Sequence, residues 1–450
     1  MPNTNHDNAR ARLRYISVGA WRDARLCERC ADAGYQLVDG AGPADLILID
    51  LRHAPWTLRR AEAMTDECRR SAPEAAVLFL VDESDAAANG LALRRYGDVL
   101  PVSTQADHVL RRIRGTLRLR NLAEEAGERL KTLTTLGRAV DFPVISTDAS
   151  RPRALIVGAP GPAALACANA LATVCSASVC VLTPGQAMRA LDHGSFDLAV
   201  FLPTKKQAPN GAFVRALRRH RNHGAVAIVQ IGETADNLAD LAKRGGAEFL
   251  LASQIEATLA ARAKILARRT RLAASLRRFL TACAGDGVRD PAAGVFTPRF
   301  LNEHGPRLAA RASQTRRSLS LISIRLSLGA TDTARARSSA IQETARILST
   351  ITRAEDLIAR LAPDLLIAVC SATALRDAER VAARISGVLS QTAFRTTEDA
   401  APFALAVSTS AVEHALDAPF AESVARAVGD VHALQPAMRW KRATPAREPV

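Results

Sequence analysis

An arginine and an aspartate stand three positions apart at the mouth of a short apolar hairpin. Arg353-Ala-Glu-Asp356 leads into the run Leu357-Ile-Ala-Arg-Leu361, the bend Ala362-Pro363, and a second apolar run from Leu365. A guanidinium can fork onto phosphate oxygens or base edges, and a carboxylate can accept hydrogen bonds from a base. The same pair can also be an exposed salt bridge at a strand start, worth at most about 1 kcal/mol. Arg-x-x-Asp alone does not choose between them. It recurs at Arg29/Asp32, Arg95/Asp98, Arg138/Asp141 and Arg189/Asp192, where nothing nearby suggests a site. The surroundings of Arg353 have to decide.

Those surroundings form the last of three segments. From Tyr15 to about Leu136, short apolar strands (YISV, YQLV, DLILID, AAVLFLV, DVLPV) alternate with helical stretches. That alternation predicts a parallel sheet with helices on both faces. The pattern repeats from Arg153 to about Thr270 with RALIVGA, ASVCVL, FDLAVFL, GAVAIVQI and AEFLLA. Two units of similar length read as an internal duplication, with the linker VDFPVISTDASRPR between them. A long helix over Glu256–Cys283 closes the second unit. The third segment differs: a Gly/Pro-punctuated opening, the strand LSLISIRL, a helix over Ser339–Thr350, the hairpin, the helix LRDAERVAARISGVLS, the strand APFALAVSTSAV and the helix FAESVARAVGDVHAL. This predicts an α+β domain with helices covering one sheet. The tail KRATPAREPV reads as disordered.

Composition narrows the function. With 48% hydrophobic and 23% charged residues in 450, the chain is globular and long enough for about three domains. No apolar run approaches the roughly 18 residues that cross a bilayer, and the start MPNTNHDNARARLR lacks the apolar core of a secretory signal. These features predict a cytoplasmic protein without membrane insertion. The eight scattered cysteines fit reduced, buried thiols. The net charge of +15 is mostly arginine. Aromatics are only 4%, however, and no helix-turn-helix, finger or stacking platform is visible, so no nucleic-acid partner is expected.

In the third segment the residues become recognisable. Asp290-Pro-Ala-Ala-Gly294-Val-Phe-Thr-Pro-Arg299 resembles the Asp-x-Leu-Thr-Gly-Leu-x-Asn-Arg opening of GGDEF domains, with Thr297 and Pro298 in place of the asparagine and arginine. Ala362-Pro363-Asp364-Leu365-Leu366 falls on the Gly-Gly-Asp/Glu-Glu-Phe signature, which only Asp364 fits. The chain resembles PleD-type response regulators. The resemblance implies an α/β multi-domain fold: two flavodoxin-like (βα)5 receiver domains (12–140, and a degenerate 150–270) followed by a degenerate α+β GGDEF-like domain of nucleotidyl-cyclase type (285–440).

The resemblance separates a lost activity from a kept one. The family binds catalytic metal through acidic residues, where this chain has Leu365, Arg325 and Ser327. An arginine there inverts the field that a divalent cation needs, so the domain is expected to be no enzyme, with no metal and no cofactor. The family's inhibitory site is an Arg-x-x-Asp ending five residues before the signature, and Arg353 and Asp356 have that spacing. The family completes it with an arginine on the following helix of a neighbouring domain, a position matched by Arg384. The implied ligand is cyclic di-GMP. Arginine would fork onto its guanines or phosphates, and the carboxylate would accept from guanine N1–H and N2–H.

Members that have lost synthesis and kept this site imply a cyclic di-GMP effector, or adaptor, acting as a homodimer. The implied protein partners are proteolysis adaptors and polar localisation factors, recruited at a cell pole for cell-cycle-regulated ClpXP proteolysis. The alternatives are a residual diguanylate cyclase and a structural scaffold that binds no nucleotide.

Receiver chemistry needs an acidic pair after the first strand, a phosphoacceptor aspartate after the third and a lysine after the fifth. Asp50 matches the acceptor, while Gly19-Ala20 and Val102 stand at the other positions. Asp50 is therefore a possible phosphoacceptor without its metal ligands. In the second unit the acceptor position is Leu202. Three further motifs read as structural: the loop Gly158–Ala164, which lacks a Gly-Lys-Ser/Thr ending; the pair His220/His223, which has no further ligand in view; and Cys27-x-x-Cys30, which has no second ligand pair.

Overall fold

The computed structural model describes residues 11–433 apart from 20–21, 41, 53–54, 83–91, 94–95, 102–105, 141–150, 204–211, 215, 218–225, 235–247, 284, 286, 329–332 and 396–401. Ala20, Val102, His220 and His223 therefore lie outside the described residues. The chain forms two compact units, Met1–Gly127 with Asp141–Phe279, and Glu128–Val140 with Leu280–Val450.

The first unit holds two all-parallel sheets. One contains β1 (Arg12–Ser17), β2 (Gln36–Val38), β3 (Leu46–Asp50), β4 (Ala76–Val81) and β5 (Asp98–Pro101), in the order β2-β1-β3-β4-β5. The other contains β6 (Arg153–Val157), β7 (Ala177–Val181), β8 (Leu198–Phe201), β9 (Ala227–Gly232) and β10 (Glu248–Leu251), in the order β10-β9-β8-β6-β7. Counted from its own first strand, each sheet has the flavodoxin-like order 2-1-3-4-5. Every residue of β3 is buried, as expected of a strand covered on both faces.

Period-two alternation sorts the apolar residues of the first sheet into two cores. Leu46, Leu48, Leu78 and Leu80 meet Leu26 and Cys30 of the helix Ala24–Asp32, and Val109 and Ile113 of the helix Ala106–Thr135. Ile47, Ile49, Phe79 and Val81 meet Ala61 and Cys68 of the helix Leu58–Ser71. Asp23 and Thr57 accept backbone N–H groups at the starts of the helices Ala24–Asp32 and Leu58–Ser71, satisfying donors that have no partner within the helix.

The second unit is built on an antiparallel sheet of β11 (Leu319–Ser327), β12 (Leu357–Ala362), β13 (Leu365–Ser371) and β14 (Ala406–Glu413), ordered β12-β13-β11-β14. The helices Ala334–Ile351 and Leu375–Ser390 bury Ile341, Leu348, Ile385 and Leu389 against Ile322, Ile324, Leu366 and Ala368 of one face. On the other face, Ser323 Oγ donates to the Ala427 carbonyl of the helix Phe420–Ala433 at 2.7 Å. The helix Pro298–Thr315 crosses that helix at Gly305, where an added Cβ would lie 2.1 Å from the Phe420 ring.

Candidate functional site

The Arg353–Asp356 turn follows directly on the helix Ala334–Ile351, which is capped at its C-terminus by Thr352. Asp356 folds back so that its Oδ2 accepts the Arg353 N–H at 2.8 Å, and the Asp356 N–H donates to the Arg353 carbonyl at 3.1 Å. This is the aspartate-closed turn expected of a short carboxylate near its own backbone. It spends the Arg353 backbone and leaves the side chain outside: Arg353 is exposed, and its guanidinium makes no hydrogen bond or ion pair among the described residues. Arg129, at the end of the helix Ala106–Thr135, steadies the turn by donating to the Asp356 carbonyl at 3.2 Å. Its guanidinium also lies 5.2 Å from the Phe296 ring centre.

Arg384, on the helix Leu375–Ser390, is also exposed, and donates through Nη2 to the Ile351 carbonyl at 2.8 Å. Ile351 ends the helix two residues before Arg353, so the fold gathers Arg353, Asp356 and Arg384 around one helix C-terminus within one unit. Beneath the turn, the Cys370 thiol is pushed well above its ordinary range by burial, with Asp356 adding to the effect and Arg353 opposing it.

The hairpin β12–β13 closes through Ala362, paired with Leu365, leaving Pro363 and Asp364 as the turn. Arg325 stands opposite Leu365 on β11, and its Nε lies 3.5 Å from Asp364 Oδ2. The lone carboxylate of the signature is thus paired with the arginine that occupies the expected metal-ligand position. Leu365 is buried, only 4% exposed, and Pro363 has no N–H to offer. A donor set of one arginine-paired carboxylate does not fit a divalent cation.

Sequence reasoning missed a second clamp on this hairpin. Arg360 donates to the Ala362 carbonyl at 3.2 Å, to the Pro363 carbonyl at 3.3 Å and to Asp290 Oδ1 at 3.0 Å. Asp290 Oδ1 also accepts the Ala292 and Ala293 N–H groups, and Gly294, at φ +69°, turns the chain back. Phe296 then bonds to β12, donating to the Ile358 carbonyl at 2.9 Å and accepting from the Arg360 N–H at 3.0 Å. Thr297 caps the helix Pro298–Thr315 through the Phe300 N–H, with Pro298 in its first turn. Thr297 and Pro298 therefore serve as a helix start. The only sequence signal for the clamp is an arginine three residues before the hairpin bend.

Asp50 is fully buried at the end of β3, and both of its oxygens are engaged. Arg52 forks onto it, Nε to Oδ1 at 2.9 Å and Nη2 to Oδ2 at 2.6 Å, and the Tyr15 hydroxyl donates to Oδ2 at 2.6 Å. Arg52 also reaches Asp23 at 3.3 Å. Burial first, then the hydrogen bond to Asp50, pushes the Tyr15 hydroxyl well above its ordinary range. A guanidinium thus sits on both oxygens that a phosphoryl group would have to approach. Leu202, at the matching place in the second sheet, is buried against Gly158, where an added Cβ would lie 2.7 Å from the leucine Cβ. Cys27 and Cys30 lie on the helix Ala24–Asp32, and burial, with Cys27 adding to it, pushes the Cys30 thiol up to about 12. No cluster of three or more metal-ligating side chains exists among the described residues, and no helix among them is long and apolar enough to cross a membrane.

No family model and no curated protein matches the chain. Among solved structures it is similar to diguanylate cyclase SiaD from Pseudomonas aeruginosa, solved with its activator SiaC (21% identity, TM-score 0.32, 35% of this chain). The match spans 61% of the SiaD chain. It is also similar to the GGDEF domain of DgcB from Caulobacter crescentus in complex with c-di-GMP (14% identity, TM-score 0.32, 33% of this chain and 88% of that one). A third is the FimX GGDEF domain from Pseudomonas aeruginosa (15% identity, TM-score 0.30, 32% and 92%).

Proposed function

We propose that the chain is a non-enzymatic cyclic di-GMP effector, resembling PopA, whose degenerate GGDEF domain binds the nucleotide at Arg353, Asp356 and Arg384. The observation that carries this reading is the turn itself. Asp356 holds the Arg353 backbone at 2.8 Å, so the Arg353 side chain is left exposed, and Arg384 bonds to the Ile351 carbonyl two residues before it. A planar fork and a second cation at the same helix C-terminus suit a ligand with two phosphates and two guanines. The pairing of Arg325 with Asp364 supports the loss of synthesis. The flavodoxin-like order of both parallel sheets supports their reading as receiver domains, and the closed Asp50–Arg52 pair supports a scaffold role for the first. In this reading the parallel sheets carry the surface that docks proteolysis adaptors and polar localisation factors. The ligand changes partner affinity by favouring one of two states.

Isothermal calorimetry with cyclic di-GMP tests the reading, together with separate incubation with GTP and Mg²⁺. Binding that is lost in Arg353→Ala, with no GTP turnover, is the expected result. Turnover would favour a residual cyclase, and absence of binding a plain scaffold. A pull-down of partner with and without ligand, using wild type and Arg353→Gly, then tests the effector output.

A further inference from the structure

The outer edge of the second parallel sheet is built unlike the other edges of the first unit. β7 is hydrogen-bonded to β6 on one side, and no strand among the described residues pairs with its other side. Natural edges are blunted by charge, proline or shortness. β2 has three residues. β5 carries Asp98 and ends in Pro101, and β10 carries Glu248; Arg112 pairs with both carboxylates, at 3.6 and 2.8 Å. β7, Ala-Ser-Val-Cys-Val, has none of these devices. The sequence holds no charged residue between Arg153 and Arg189, in a chain whose net charge is +15.

The exposed apolar side chains of this region share one face. Val179 and Val181 pack into the core that includes Ala187 and Leu191 of the helix Pro184–His193. Alternation therefore turns Ser178, Cys180 and Leu182 to the opposite face, the side of the helix Pro162–Ala172, whose Cys167 and Leu171 join the other core. On that side Leu182 is 58% exposed and Leu165 is 64% exposed, and Cys180 is the one cysteine of eight that is exposed.

We infer that β7 pairs antiparallel with β7 of a second copy of this chain, joining two sheets across a two-fold axis. An open row of backbone donors and acceptors is matched by a strand, and an isologous contact sets the same patch against itself. A strongly cationic chain can meet its own copy closely only where it carries no charge, and the Ala154–Met188 stretch meets that condition. The axis brings Leu165 and Leu182 of each copy together over the junction. It also sets the two Cys180 side chains either directly opposite, at about 5 Å, or diagonal, at about 7–8 Å. This inference does not rest on the nucleotide reading.

Sedimentation of the full chain and thiol cross-linking test it. The wild-type protein should be a dimer at micromolar concentration, and a short bis-maleimide should trap it covalently. Cys180→Ser should abolish the trap and leave the sedimenting dimer intact. Leu165→Lys with Leu182→Lys, both at exposed positions, should raise the dissociation constant by at least about tenfold while the far-ultraviolet circular dichroism of the chain stays unchanged. A monomeric wild type, a dimer that Cys180 does not cross-link, or a dimer indifferent to the two lysines would each overturn the inference. So would capture of a monomer by phosphatidylcholine vesicles through the same leucines.

Discussion

Arg325 and Asp364 face each other across the hairpin bend, Nε to Oδ2 at 3.5 Å, with 36% and 39% of their side chains exposed. An ion pair this open contributes at most about 1 kcal/mol to stability. Its consequence is electrostatic: it sets a fixed cation where a divalent metal would need a second carboxylate, and it engages the one carboxylate that remains. Under the proposed non-enzymatic reading, a change confined to residues 362–366 is not expected to produce a cyclase.

The triple variant Ala362→Gly, Pro363→Gly, Leu365→Glu should therefore show no turnover of GTP with Mg²⁺, because Arg325 is untouched. Adding Arg325→Asp places a carboxylate on β11 opposite the restored glutamate and beside Asp364. Calorimetry with Mn²⁺ should detect cation binding in the quadruple variant and none in the triple. Synthesis by the unmodified chain, followed by chromatography of the nucleotides, is the result that would overturn the account.

At the Arg353 turn, the proposed nucleotide contacts can be tested side chain by side chain. Arg353→Ala removes only an exposed, unengaged guanidinium, so stability should hold while cyclic di-GMP affinity falls by at least about tenfold, the loss of roughly 1.4 kcal/mol or more. Asp356→Asn can still accept the Arg353 N–H through its amide oxygen but loses its charge, and should weaken binding with an unchanged thermal midpoint. Asp356→Ala also opens the turn and should lower both. Arg384→Ala should weaken binding and free the Ile351 carbonyl at little cost. Calorimetry and thermal melts on the four variants distinguish these outcomes.

The strands were legible because burial on both faces makes them short apolar runs: DLILID and AAVLFLV bracket β3 and β4 to within a residue. The helix Leu375–Ser390 was legible from its amphipathic period. Arg353, Asp356 and Arg384 were singled out through the resemblance to the family's inhibitory site, but the Arg384–Ile351 contact could not be read, because 33 residues separate the partners. The same limit hid Arg325–Asp364 as a contact and Tyr15 and Asp23 as neighbours of Arg52. Asp50 looked like an open acceptor because strand-end position predicts where a side chain emerges, not what closes over it. The opening Asp290–Arg299 resembled a family motif, yet Thr297 and Pro298 are accounted for by helix capping.

Arg52 should behave as a structural partner of Asp50. Arg52→Ala leaves a buried carboxylate without its fork, a change that typically costs about 3–5 kcal/mol. Urea unfolding should show that loss, and Asp50→Asn in the same chain should recover part of it. Acetyl phosphate should label Asp50 poorly in the wild-type protein. Efficient labelling with Arg52 still present would mean that the fork opens readily.

Acid should progressively weaken the buried cluster around Glu248. Burial raises the cost of its charge, but Arg112 at 2.8 Å and His108 at 3.0 Å, with Arg262 beyond them, outweigh that cost and hold the carboxyl well below its ordinary range. A carboxyl with a depressed native pKa binds fewer protons folded than unfolded at mildly acidic pH. Its stabilisation is therefore complete above the unfolded value, about 4.3, and is lost as pH falls from there toward the depressed one. Glu248→Gln keeps the shape and removes the charge. It should lower the thermal midpoint at pH 7, and the gap to wild type should narrow steadily below about pH 4. A gap that stays constant from neutral pH into acid would show that Glu248 acts through packing alone.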